Sequence, residues 1–405
     1  MLRSSSICIS FLYKYLTSDI DNVSDENGGD TLIKRGQKMN CLVDVFQSYG
    51  GVLAKLSQML SFENEKSDVF SDCKPYAQKE TIEYIKNEYE NNSEFFKNIK
   101  YLDFNVFKSG SVGQVHKGIY KNDEHIILKV QYLGLYDQFK NDIFILDKVA
   151  SYLFYFADVT SAMIEIKTKL YEELDYRIEF KNQEKIYNIW ENESEIKIPK
   201  LISELCTENI IAMEFIDGES IKSFIVNSTQ EEKNHIGFSL IKFIFINLYK
   251  YGIFYSDIHY GNFIIKDKSI LYVTDFGCIN YIEDDLLNKL LTLHGIMISD
   301  DEENFYLLVK ELGIMKDDIS EESKKYMYEY FKLQYAPLLS EEFDFTGEWL
   351  TKCVYKETEL MKEWILPNNM IFFNKICYGM YHLLTKMKVQ CKFSNFFKDL
   401  IKYEE

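Results

Sequence analysis

The spacing of apolar residues changes period several times along the chain, and each change predicts an element. Between residues 39 and 62 apolar positions recur three and four apart (Leu42, Val45, Phe46, Tyr49, Leu53, Leu56, Met59, Leu60), which predicts an amphipathic helix. A second helix is expected after Pro75, a residue suited to a first turn. Near residue 100 the period shortens. Residues 112–120 and 125–131 predict two strands joined by Lys121-Asn-Asp-Glu, a hairpin signal. Helical spacing returns over 136–190. Residues 210–215 then predict a short apolar strand that stops at Asp217-Gly218. Residues 264–265 and 271–274 predict a strand pair around Lys266-Asp-Lys-Ser.

The run 236–254 predicts a buried core helix. Lys242, Asn247 and Lys250 interrupt it, so it falls short of the roughly 20 apolar residues of a membrane span. Beyond about residue 283 the pattern is helical to the end, with aromatic residues such as Tyr326, Tyr328, Tyr330 and Phe331 expected in the core. Residues 18–39 are polar and rich in Gly, Asp and Asn, the composition of a linker or arm. The succession predicts an α+β, two-lobed enzyme, divided into an arm (1–38), a helical extension (39–100), a strand-rich lobe with inserted helices (101–216) and a helical lobe (217–405).

Composition narrows the functions. The 405 residues are 46% apolar and carry a net charge of −18. That is enough to build a sizeable core, and too acidic for a protein whose partner is a phosphate backbone. Arginine occurs only at Arg3, Arg35 and Arg177, so bidentate base readout has few candidates and no nucleic-acid partner is expected. The eight cysteines form no C-x-x-C pair and no zinc-ligand spacing, and read as buried thiols of a reducing compartment. No secretory signal is evident in the first residues. The chain reads as cytoplasmic or peripheral to a membrane.

The chemistry concentrates in Tyr255-Ser-Asp-Ile-His-Tyr-Gly-Asn262 and Val273-Thr-Asp-Phe-Gly277. Asp257 and Asn262 have the Asp-x-x-x-x-Asn spacing of a kinase catalytic loop, and Asp275-Phe-Gly follows 18 residues after Asp257. Phosphoryl transfer from ATP needs such a set. One carboxylate orients the nucleophile (Asp257), while an Asn and a second Asp (Asn262, Asp275) hold Mg2+ on the phosphates. One tripeptide alone carries little; both motifs in order carry much more. Upstream, Gly110-Ser111-Val112-Gly113-Gln-Val115 matches the last six positions of a Gly-rich phosphate loop, with Lys108 at the first glycine. Lys129, within Ile-Leu-Lys-Val, falls on the next strand, where it could reach the α/β-phosphates and needs a carboxylate partner.

Glu173-Leu-Asp-Tyr-Arg-Ile-Glu179, with Lys55-Leu-Ser-Gln58 ahead of the core, resembles the UbiB/ADCK/AarF family of atypical protein-kinase-like ATPases. That family carries a K-x-G-Q motif on an N-terminal helix and an E-x-D motif followed by R-E. Lys55 and Gln58 match the first, with Ser57 at the glycine. Glu173 and Asp175 match the second. The resemblance implies a protein-kinase-like fold and the cofactors ATP and Mg2+. It implies that Glu179 pairs with Lys129, and that Lys55 pairs with Glu173 or Asp175, laying the N-terminal helices across the site. It further implies an adenine-binding hinge at 214–216, through the backbone of Glu214 and Ile216, and a link to isoprenoid quinone or lipid metabolism near a membrane. Tyr255, Ile258 and Tyr260 replace a histidine and two prolines of the usual catalytic loop. Three functions stay open: an ATP-hydrolysing atypical kinase, a kinase acting on a protein or small molecule, and a nucleotide-gated binding platform without turnover.

Overall fold

The computed structural model describes residues 78–91, 94, 96–110, 112–137, 139–141, 143, 168, 171–172, 174–355, 359–365, 367–393, 396–397 and 400. The chain divides into two compact units, residues 1–184 with 200–215 and residues 185–199 with 216–405, and the division falls inside one helix.

The first unit is built on a five-stranded antiparallel sheet. Strands β1 (Tyr101–Leu102), β2 (Lys108–Ser109), β3 (Gly113–Ile119), β4 (His125–Gln131) and β6 (Ile210–Glu214) run in the order β1-β3-β4-β6, with β2 also on β3. The hairpin expected at 112–131 is present, with Gly113 opposite Gln131 and Ile119 opposite His125. Its bend places Asn122 and Asp123 at φ +60°, which short polar side chains tolerate better than branched ones. Alternation then sorts the side chains of β4. Ile126, Leu128 and Val130 enter a core with Ile85 of helix α1 (Lys79–Glu90), Phe96 and Ile210. Ile127, one step out of phase, packs instead with Tyr176, Ile211 and Met213. Lys129 shares the parity of Ile127, so the period of two alone puts it on that second face.

In the second unit, β5 (Ile196–Lys197), β7 (Glu219–Ser220), β9 (Phe263–Lys266) and β10 (Ile270–Val273) form a sheet in the order β5-β10-β9-β7, with β5 and β10 parallel. The β9–β10 pair is the one expected around Lys266-Asp-Lys-Ser. Helix α2 (Tyr176–Trp190) runs from one unit into the other, and Ser220 caps the short α3 (Ile221–Asn227). Among the described residues, helix α4 (Gln230–Tyr251) has the most buried positions. Thr229 and Glu232 form a reciprocal capping box at its start, satisfying two orphan N–H groups. It begins and ends earlier than the run 236–254 suggested. Gly252, at φ +60°, ends the helix, and the apolar run continues as strand β8 (Ile253–Tyr255), paired with β11 (Ile279–Tyr281). A glycine in the left-handed region stops a helix that hydrophobicity alone would continue.

The C-terminal part is mostly helical: α5 (Asp284–Ser299), α6 (Glu302–Glu311), α7 (Glu321–Leu339), α8 (Gly347–Leu350) and α9 (Asn368–Met387). It is not helical throughout. β12 (Phe343–Asp344) pairs with β13 (Gln390–Cys391), two-residue strands too short to leave a period-two signature. The segment after α9 closes onto α4. Gln230 donates to the carbonyls of Met387 and Lys388, Asn234 accepts from the Gln390 amide at 2.9 Å, and Phe245 meets Phe397 edge-on at 4.8 Å.

A Cβ added at Gly237 would lie 2.5 Å from Cγ2 of Val389, a fully buried β-branched residue with little rotamer freedom. Gly237→Ala is therefore expected to lose stability although alanine is the better helix former. Overpacking costs about 1–3 kcal/mol against a propensity gain of about 1. A lowered urea midpoint would show it; a raised one would mean that Val389 yields freely.

Candidate functional site

Lys129 donates from Nζ to both carboxylate oxygens of Glu179, at 2.8 and 2.9 Å. The side chains are 19% and 5% exposed, so the pair is shielded on the carboxylate side and open at the ammonium. Glu179 sits in the first turn of α2, where the helix dipole favours a negative charge. Directly opposite Lys129 in the ladder is Val115. The Tyr176 ring lies under the ammonium, 5.1 Å from centroid to Nζ.

The Gly-rich segment is held from β4. The Gly110 amide donates to the Gly113 carbonyl at 2.8 Å, the Tyr132 amide to the Val112 carbonyl at 3.1 Å, and the Tyr132 hydroxyl to the Gly110 carbonyl at 3.1 Å. The two glycines have different reasons. A Cβ at Gly113 would stand 2.6 Å from the Val130 carbonyl oxygen and 2.7 Å from the Tyr176 hydroxyl, so strand packing forbids a side chain there. A Cβ at Gly110 would meet nothing nearer than 3.8 Å. No contact among the described residues demands glycine at 110, and the space beside it fits a ligand that approaches the backbone.

In the second unit, the register of β9 with β10 sets the catalytic-loop residues beside the Asp-Phe-Gly segment. Phe263 pairs with Val273, and the Thr274 amide donates to the Asn262 carbonyl at 3.0 Å, one residue before Asp275. The Asn262 Nδ2 donates to the Asp257 carbonyl at 2.9 Å and to its Oδ2 at 3.0 Å. Both partners are acceptors, so the nitrogen must face them and Oδ1 must face elsewhere. Asp275 accepts the Gly277 amide at Oδ1, 3.1 Å. One amide oxygen and one carboxylate form the hard-oxygen donor set that suits Mg2+.

Tyr255 stands behind this loop, buried among Phe243, Phe263 and Phe276 at ring distances of 5.3, 6.3 and 6.0 Å. Burial first, then the charges of Asp275 and Asp257, push its phenol pKa far above the ordinary value. It stays protonated, a neutral group where the usual loop has a histidine. His259 Nδ1 accepts the Gly261 amide at 3.0 Å, shaping the loop locally.

The Glu214 carboxylate accepts the Lys200 amide at 2.9 Å, and its backbone belongs to β6; Ile216 is buried and opens the second unit. Asp175 caps α2 by accepting the Arg177 amide at 3.0 Å, and holds the Arg177 guanidinium at 2.8 Å to each oxygen. That hydrogen-bonded guanidinium depresses the Asp175 pKa. Lys55, Gln58, Glu173 and Ser111 lie outside the described residues.

Two site neighbours escaped the sequence reading. Tyr176 and Tyr132 touch the lysine and the loop, and nothing in their local pattern sets them apart from core tyrosines. A chain of hydrogen bonds on the face of β3 away from Lys129 escaped it too. The Gln78 amide donates to Gln114 Oε1 at 3.0 Å, Gln114 Nε2 meets His116 Nε2 at 2.9 Å, and His116 Nδ1 meets the Asp103 carbonyl at 3.0 Å. The carbonyl can only accept, which fixes the imidazole proton on Nδ1. The signal was two polar residues, at 114 and 116, on the buried parity of a strand.

The description "ABC1 atypical kinase-like domain" matches residues 68–308. The chain belongs to this family. The ABC1 chain is 25% identical over 365 residues to a Clostridium pasteurianum protein described as "Uncharacterized protein in hydrogenase 1 5'region", a match covering 85% of this chain and 66% of that one. It is 22% identical over 398 residues to the Saccharomyces cerevisiae "Atypical kinase COQ8, mitochondrial", covering 92% and 78%. In four further relatives the match spans only 37% to 49% of their length. A solved structure, that of Rv3197 with erythromycin from Mycobacterium tuberculosis, superposes with a TM-score of 0.68 at 18% identity, covering 92% of this chain and 97% of that one. The ABC1 chain thus has the two-lobed, kinase-like α+β fold. Among its described residues, no helix is long and apolar enough to cross a membrane.

Proposed function

We propose that the chain is an atypical kinase-like enzyme that binds Mg-ATP and hydrolyses it or transfers its γ-phosphate. The observation that carries this reading is the Asp257–Asn262–Asp275 arrangement, in which the hydrogen bonds of Asn262 leave its oxygen as a donor for a cation. Asn262 and Asp275 would hold the magnesium, which neutralises charge on the phosphates when bound. Lys129, oriented by Glu179, binds phosphate oxygens. The backbone of residues 110–115 covers them, and the backbone at 214–216 receives adenine. Asp257 orients the attacking oxygen of water or of an acceptor hydroxyl. Lys55 and Gln58, with Glu173 and Asp175, act as the regulatory contact between the helical extension (39–100) and the strand-rich lobe (101–216). By family resemblance, the reaction serves isoprenoid quinone or lipid metabolism at a membrane surface.

ATP turnover and thermal unfolding of the purified chain, in magnesium and in excess chelator, test this. Turnover that requires magnesium, with stabilisation of about 2.7 kcal/mol at a hundredfold excess of ATP over Kd, is expected. Stabilisation without turnover would instead identify a nucleotide-gated platform. Neither effect would sink the ATP site altogether.

A further inference from the structure

The first unit contains a concave site. A cavity of about 700 Å3 lies among α1, the segment that follows β4, and the start of α2. It is distinct from the nucleotide site proposed above: Val130, in its wall, has the opposite parity to Lys129 on β4. Its floor is apolar, with Phe96, Val130 and Ile210 buried. Its rim is aromatic and left open, Tyr84 being 44% and Tyr171 41% exposed. Large apolar side chains grouped in water around a concave surface mark a binding site, since a ligand would remove that area from solvent.

The charge of the rim selects the ligand. Among the described residues, four carboxylates line the cavity (Glu88, Asp137, Asp175 and Glu208) against one cation, Arg177. Arg177 is itself occupied, bonded to Asp175 and 3.7 Å from Glu208. Glu88 and Asp137 have no cationic partner among the described residues. Tyr84 and Glu88 are one helical turn apart on α1, which puts a ring face and a carboxylate side by side. The rim already shows this preference at its edge, where the Lys140 ammonium stands 4.6 Å from the Tyr136 ring centroid. Aromatic faces beside unneutralised carboxylates attract an ammonium and repel an anion.

We propose that this cavity binds an amphiphile with an ammonium head group, its tail on the apolar floor and its head at the tyrosines and carboxylates of the rim. The test is calorimetric titration of the full chain with decyltrimethylammonium below its micellar concentration. Decyl sulfate, decyl maltoside and free choline serve as comparisons. Saturable binding of one equivalent is expected, at least tenfold tighter than any comparison. Glu88→Gln and Tyr84→Leu, both at half-exposed or exposed positions, are each expected to weaken it about tenfold while leaving the unfolding midpoint unchanged. Equal binding of the sulfate or the maltoside would overturn the charge selection. Equal binding of choline would overturn the amphiphile, and unchanged affinity in both variants would remove the site from this cavity.

Discussion

Lys129→Met is expected to destabilise the first unit by about 3–5 kcal/mol, because it strands the Glu179 carboxylate in a site where the side chain is 5% exposed. Glu179→Leu leaves an ammonium whose surroundings are more open, and should cost less. The double variant Lys129→Met/Glu179→Leu replaces both charges by apolar groups and should recover most of the loss, since a buried pair is expensive to break and cheap to replace. Turnover behaves differently. On the proposed function it falls on the order of a thousandfold in all three variants, because none presents an oriented cation to the phosphates. Urea unfolding and ATP turnover measured on the same four proteins separate the two roles. Single variants within 1 kcal/mol of the parent would reduce the pair to a screened surface contact.

The fold and the candidate site were legible to different depths in the sequence. The β3–β4 hairpin could be read because its alternation is strict and its bend carries Asn122-Asp123. The β9–β10 pair and the spacing from Asp257 to Asp275 could be read for the same local reason: two short strands fix the distance between two motifs. The division of the run 236–254 into α4 and β8 could not, because helix and strand are both buried there and only Gly252 separates them. The β12–β13 pair joins residues far apart in sequence, and two-residue strands leave no periodicity. Glu179 as partner of Lys129 came from resemblance to a family, since fifty residues of intervening chain give no geometric rule. The Gln78–Gln114–His116 relay was hidden for another reason. Polar residues on a buried face look like errors until their partners are known.

Acidification should weaken the second unit through His294. This residue of α5 is fully buried, packed edge-on or tilted against Tyr249, Tyr335 and Phe397, and burial lowers its pKa from the usual 6.5 to about 4. Its Nε2 has no hydrogen-bond partner among the described residues. Between pH 6.5 and 4 the unfolded chain therefore binds a proton that the folded chain refuses. Stability from this group is complete above pH 6.5, falls as pH drops, and levels off near pH 4, for a total of about 3 kcal/mol. His116, also depressed by burial, adds a slope of the same sign, so the comparison must be with His294→Phe. Between pH 7.5 and 4 the parent is expected to lose about 3 kcal/mol more than that variant in urea unfolding. Parallel slopes would mean that the imidazole is hydrated in the folded state.

The closure of the chain's last segment onto α4 bears on how the protein is made. Gln230, Asn234, Gly237 and Phe245 find their partners at Lys388, Gln390, Val389 and Phe397, some 150 residues later. At about 5–20 residues per second of synthesis, that side of α4 waits roughly 8–30 s for the residues that cover it. During this interval the nascent second unit carries an open apolar seam.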